Sequence, residues 1–308
     1  MKIASYLAAA ACAGLLYGGQ CAFADAPAAA TGNAAAAAAP LVPGSTLLRL
    51  KFKVGDVQTY DMLLHIVGTI GQGGAAAAIP MDQTMEMLVT QTVQSIDPKT
   101  GAATIKSNVA SKKTILLVNG KDVSPPAAQQ GQTQPIASVT SVLEPNGKVD
   151  SFNMDRSASP NMPMGMDANS PMVGAFFGPD NPISVGDTWS RTTTGGPMGM
   201  TYLSTYKLSD LSTQNGDQVA TIACKQSGNL STKLRAATML NGTFDTDQAT
   251  LFDNTLGRMQ SVTSTSHIHM VMATDTSQPP PAGATPPTPI NQKIDLTQTM
   301  TMTLVGGK

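Results

Sequence analysis

Leu48, Leu50 and Phe52 alternate with Arg49, Lys51 and Lys53. After a Gly-Asp turn the alternation resumes, with Tyr60, Met62, Leu64 and Ile66 on one side and Asp61, Leu63, His65 and Val67 on the other. A period of two is the signature of a half-buried strand. Gly68 to Pro80 reads as a Gly/Ala loop. Met81 to Ile96 fits two periods. Met85, Leu88 and Thr92 would make a helix face; Met85, Met87, Val89, Gln91 and Val93 would make a long strand. The β-branched content and the Asp97-Pro98-Lys99-Thr100-Gly101 turn favour the strand. Further strands are predicted over 101–109 and 114–118, and a hairpin over 136–143 and 148–152 turns at Glu144-Pro145-Asn146-Gly147. The same signals continue over 188–194, 200–211, 218–227, 234–240, 249–253, 258–272 and 294–305.

This order of signals occurs twice. Lys53-Val54-Gly55-Asp56 is followed by Ser95-Ile96-Asp97, a turn at Gly101, Ala103-Thr104-Ile105 and a hairpin to Val149. Ser184-Val185-Gly186-Asp187 is followed by Leu208-Ser209-Asp210, a turn at Gly216, Ala220-Thr221-Ile222 and a hairpin to Met259. Repetition of strands and turns in one order implies two copies of one β unit. The fold class expected is mainly β: two similar antiparallel units, half-barrel or sandwich-like, over 46–153 and 183–305. The second unit contains a Pro-rich loop at 276–289. Between the units, 154–182 is an irregular Met/Pro-rich connector with one short helix near 170–177, with Ser170 as N-cap, Pro171 at the first helical position and Gly178 as the stop.

The N-terminus changes where this fold is placed. Lys2, the apolar stretch Ile3 to Tyr17 and Ala22-Phe23-Ala24 make a charged start, a hydrophobic segment of signal length and a small-x-small cleavage site. Residues 1–24 are read as a secretory signal peptide. The competing readings are an uncleaved anchor, or lipidation at Cys21 or Cys12. Residues 25–45, rich in Ala and Pro, read as a disordered tether. The expected location is extracytoplasmic, periplasmic or secreted. With signal cleavage only Cys224 remains, so the core must hold without an internal disulfide. A net charge of −1 and 13% charged residues leave no electrostatic footprint for nucleic acid. No apolar run after the signal is long enough for a membrane-spanning helix.

Phe176-Phe177-Gly178-Pro179-Asp180-Asn181-Pro182 leads into Ile183-Ser184-Val185-Gly186-Asp187-Thr188-Trp189. With the earlier Asn146-Gly147-Lys148-Val149 hairpin, this segment resembles a loose group of uncharacterised exported bacterial proteins. The resemblance implies a duplicated antiparallel β fold, similar to the half-barrels that carry lipoproteins and lipids across the periplasm. It implies no catalytic residue.

The side-chain chemistry points away from catalysis. The chain has three histidines, His65, His267 and His269, and no metalloprotease, nucleophile-elbow, P-loop or paired-cysteine motif. Neither an enzymatic activity nor a cofactor is expected. Methionine is the outlier, with 18 residues. Met162, Met164 and Met166 have the Met-x-Met spacing that suits Cu(I). Methionines in the strands suit an adaptable apolar surface instead. Three readings follow. The first is a non-enzymatic binding or scaffold protein that holds an apolar or lipid-like ligand on a concave β surface, with Tyr60, Met62 and Trp189 as candidate walls. The second is a Cu(I)-binding periplasmic protein using Met162, Met164 and Met166. The third is a structural or interaction protein of the cell envelope. Expected partners are an apolar small molecule or an envelope component.

Overall fold

The computed structural model describes residues 44–72, 78–125, 134–155, 177–195, 200–235, 238–274 and 291–307. The signal segment, most of the tether, Met162 to Met166 and the expected helix up to Phe176 lie outside the described residues. Among those described there is no helix, only strands and the turns and irregular segments between them.

The strands are β1 (Val57–Gln72), β2 (Ile79–Ile96), β3 (Ala103–Val118), β4 (Lys121–Asp122), β5 (Gln134–Leu143) and β6 (Val149–Asp155), then β7 (Thr188–Gly195), β8 (Met200–Gln214), β9 (Asp217–Arg235), β10 (Thr238–Asp253), β11 (Arg258–Thr274) and β12 (Asn291–Gly307). They form one antiparallel sheet in the order β6-β5-β3-β2-β1-β12-β11-β10-β9-β8-β7, with the short β4 beside β3. Each half is a meander. The halves are not separate layers: they join edge to edge where β1 pairs β12, from Gln58 opposite Gly307 to Gln72 opposite Gln292. Among the described residues β6 and β7 each pair with one neighbour, so the sheet is not closed into a barrel.

The two Val-Gly-Asp turns make the same backbone clasp. The Gly55 N–H donates to the Val93 carbonyl and the Val93 N–H to the Asp56 carbonyl, at 2.9 and 3.0 Å. The Gly186 N–H donates to the Leu208 carbonyl and the Leu208 N–H to the Asp187 carbonyl, at 2.8 and 3.0 Å. Both glycines have positive φ, 87° and 99°, which a residue with a Cβ adopts only under strain. A bulge follows each clasp, between Val93 and Ser95 on β2 and between Leu208 and Asp210 on β8. It places Ile105 opposite Val93 and Ile222 opposite Leu208. The next hairpins are bulged at Val142/Leu143 and at Leu251/Phe252.

One face of the sheet is buried along its length. Tyr60, Leu64 and Ile66 of β1, Ile222 of β9, Phe252 of β10 and Ile294 of β12 are shielded from solvent. No second layer of described residues covers that face, so the sheet curls around it. Glycines permit the curl. An ideal Cβ on Gly68 (β1) would lie 2.1 Å from the Asp295 carbonyl oxygen, on Gly228 (β9) 2.7 Å from that of Thr201, and on Gly242 (β10) 2.3 Å from that of His269. Strands approach this closely only where a side chain is absent. Gly68 to Gln72, read from sequence as loop, is therefore the last part of β1.

The outer face is mostly polar, with Leu63, Val67, Leu203 and Val305 exposed among its polar residues. Lys293, Asp295, Thr297, Thr299, Thr301 and Thr303 of β12 are exposed, as are Thr243, Asp245 and Asp247 of β10. Polar pairs cross it, among them the Lys225–Asp247 ion pair at 3.2 Å and the hydrogen bonds of His65 with Asp82, at 3.0 Å, and of His269 with Asp295. At such exposure each is worth about 0–1 kcal/mol. This arrangement, apolar inside and polar outside, is opposite to that of a membrane-spanning β-barrel, which turns an apolar band outward.

Candidate functional site

The turns joining β2 to β3, β5 to β6, β8 to β9 and β10 to β11 all fall at one end of the sheet. Two segments cross that end. The Thr46 N–H donates to the Ile183 carbonyl at 2.7 Å, and Ile183 returns the bond at 2.8 Å. The Leu50 N–H then bonds the Pro145 carbonyl of the β5–β6 turn, and the Lys51 N–H bonds the Gly257 carbonyl of the β10–β11 turn. A Cβ on Gly257 would sit 2.4 Å from Lys51 Cγ, so glycine is what admits the crossing chain. Leu48, Phe177 and Ile183 are buried within the main core cluster. This strap closes one end of the inner face.

Across the middle of the inner face runs a row of polar side chains. Cross-strand register places Ser204 (β8) opposite Gln226 (β9), Gln226 opposite Thr246 (β10), and Thr246 opposite Ser266 (β11). The row continues with Gln298 (β12) opposite Ser266, and Ile66 (β1) between Gln298 and Gln83 (β2). All of these residues are buried. Thr246 Oγ1 donates to Ser266 Oγ at 2.8 Å. Gln83 Oε1 and Gln298 Oε1 have no hydrogen-bond partner among the described residues, and neither do Ser107 Oγ and Ser141 Oγ elsewhere on the inner face. The sole charged side chain classed as buried among the described residues is Asp253, at the strap end. Its carboxylate accepts bonds from the Leu256 N–H at 2.8 Å and from Gln260 Nε2 at 3.4 Å.

On the strap side of the two glutamines stands a wall of methionine. Met62 on β1 is opposite Met87 on β2 and Met302 on β12, and Leu64 is opposite Met85 and Met300. Met62, Met87 and Met302 are buried. Met85 and Met300 point the same way and lie between buried neighbours, yet both retain accessible surface. Both pack against the main core cluster. Unbranched thioether side chains adapt to irregular apolar shapes.

Of the candidate walls, Tyr60 and Met62 lie on one face of β1. Tyr60 donates its hydroxyl proton to Gln58 Oε1 at 2.6 Å. Its ring is buried, and burial pushes the phenol pKa well above the ordinary 10.0, partly offset by the Arg258 charge. Trp189 stands apart, on the edge strand β7. Its ring stacks on Tyr206 at 5.3 Å between centroids, and its Nε1–H donates to the Phe177 carbonyl at 2.8 Å. Met162, Met164 and Met166 fall outside the described residues. The polar row escapes sequence reading because its members sit on six strands; its only local signal is Gln, Ser or Thr in the apolar phase of a strand.

Tyr60 gives a pH test of this packing. A phenol whose pKa is raised by folding contributes stability that is complete below pH 10 and is lost as pH rises toward the folded value. Tyr60→Phe is expected to cost about 1 kcal/mol at pH 7, through the lost hydrogen bond. The deficit should vanish near pH 11, because wild type loses about 1.4 kcal/mol by then as its unfolded phenol ionises. Urea unfolding at both pH values checks this; a constant difference would contradict it.

No protein-family model matches the chain, and a search of curated proteins finds no match. Among solved structures, an outer membrane channel from Pseudomonas putida F1 is similar over 83% of this chain and 97% of its own, at 7% identity and a TM-score of 0.23. At that score the likeness is too slight to define a common fold.

Proposed function

We propose that this chain is an exported, non-catalytic protein of the cell envelope that holds an apolar, lipid-like ligand against the inner face of its curled sheet. The observation that carries this reading is the methionine wall of Met62, Met85, Met87, Met300 and Met302. Its members lie on three adjacent strands, and two of them keep accessible surface on an otherwise buried face. Concave apolar faces with a few placed polar groups are the usual form of small-molecule sites. The strap closes one end, so a ligand would enter from the opposite end or along the β6/β7 margin. Export rests on the signal-like N-terminus, and the non-catalytic reading on the lack of a catalytic constellation in the sequence.

The test is to purify the protein from its own exported fraction, extract it, and search the extract for lipid by mass spectrometry. In parallel, Trp189 fluorescence is titrated with fatty acids and phospholipids. Trp189 and the buried Tyr206 are stacked on paired residues of β7 and β8, so the indole reports on that margin of the sheet. Co-purified lipid and a saturable fluorescence change are expected. An empty extract together with a flat titration would leave only the structural role.

A further inference from the structure

From the polar row we infer that the ligand is an uncharged amphiphile, whose hydroxyl or other hydrogen-bond-donating group is held between Gln83 and Gln298 with its apolar chain along the methionines. The inference rests on the lipid-binding reading and adds the class of ligand. Gln83 is 3% and Gln298 2% exposed, and the Oε1 of each lacks a partner among the described residues. Leaving a buried amide acceptor unsatisfied is costly, and such groups are few in folded proteins. The two residues occupy one level of the sheet. They are separated by β1 at Ile66, so their backbones are roughly 10 Å apart at the ordinary strand spacing. Ile66, itself buried, points to the same face between them, so a polar group shared by the two amides would lie over the Ile66 side chain.

Three features specify that group. Two carbonyl oxygens without donors call for a donor, and a hydroxyl can give its proton to an Oε1 while accepting from an Nε2. No charged side chain stands in the row, so a carboxylate or phosphate there would be buried without a counter-charge. The row itself, Ser204, Gln226, Thr246, Ser266, Gln298 and Gln83, is neutral throughout and is followed on the strap side by Met85 and Met300. A neutral head at the glutamines with an acyl or alkyl chain running toward the strap matches this sequence of environments.

The experiment uses the full-length mature protein and the uncharged fluorescent lipophile N-phenyl-1-naphthylamine. Its displacement is measured with 1-dodecanol, dodecanoate at pH 8 and dodecane. Dodecanol is expected to compete at least about tenfold better than either of the others, the factor that one satisfied buried hydrogen bond supplies. In Gln83→Leu/Gln298→Leu that preference should disappear while the lipophile still binds. Exchanging an unsatisfied buried amide for an apolar group should not unfold the protein, and thermal unfolding checks this. Equal competition by all three compounds, or a preference that survives the double substitution, would overturn the inference and leave the lipid-binding reading standing. No uptake of the lipophile by wild type would remove both.

Discussion

Gly68→Val is expected to destabilise the protein by about 3 kcal/mol or more, while Gly71→Ala, three residues along the same strand, leaves stability unchanged or raises it. Gly68 lies on the inward side of β1 between Ile66 and Ile70, opposite Leu296 on β12 and Met81 on β2. A Cβ there would fall 2.1 Å from the Asp295 carbonyl oxygen and 2.9 Å from the Leu296 Cα. Both are backbone atoms, so no rotamer change relieves the contact. The seam between β1 and β12 would have to open, and this seam joins the two halves of the sheet. Overpacking that side chains can absorb costs about 1–3 kcal/mol, and a backbone obstruction costs more. Against a total stability of about 5–15 kcal/mol that loss is severe. At Gly71 the nearest atom to a Cβ is 3.8 Å away, and alanine removes about 0.5–1 kcal/mol of the entropy that glycine loses on folding. Urea unfolding of both variants decides the matter. A Gly68→Val protein within about 1 kcal/mol of wild type would mean that the seam does not curl as described.

Much of the strand content was legible because the outer face is mostly polar. Thr297, Thr299, Thr301 and Thr303 alternate with apolar or neutral inward residues, and this gives β12 a clean period of two. The repeated Val-Gly-Asp turns were legible for a similar reason: a left-handed glycine followed by an aspartate is a local requirement, written in adjacent residues. Where the reading slipped, the cause was non-local. Residues 234–240 read as one strand, but β9 ends at Arg235 and β10 begins at Thr238. Residues 101–109 and 114–118 read as two strands and are one, β3, which is bulged against Glu86 and Met87. Nothing in the sequence near Tyr60 or Leu304 announces that β1 pairs β12. That pairing depends on how the sheet as a whole buries its face. The candidate site shares this difficulty. Met62 could be singled out from its strand phase, but the register that sets it between Met87 and Met302 is a product of the fold. Gln83 and Gln298 read locally as breaks in an apolar face, and only the assembled sheet places them at one level.

Leu48→Ala is expected to cost about 2–5 kcal/mol, while Leu47→Ala should stay within about 0.5 kcal/mol of wild type. The two leucines are adjacent and chemically identical, so the contrast isolates the strap. Leu48 is 0% exposed and belongs to the main core cluster; Leu47 is 40% exposed. The backbone on either side of Leu48 is fixed, by the paired bonds of Thr46 with Ile183 and by the Leu50 bond to Pro145. With the chain held at both points, the strap cannot settle inward to fill the space that a truncated side chain leaves, and the cost of a cavity rises as relaxation is prevented. That cavity would open at the closed end of the inner face. The amides of Leu50 and Lys51, which bond the β5–β6 and β10–β11 turns, should then lose hydrogen-exchange protection before the strands do. Urea unfolding together with exchange measured at those two amides provides the check. Equal effects from the two substitutions, or unchanged protection at Leu50 and Lys51, would mean that the strap is not anchored through Leu48.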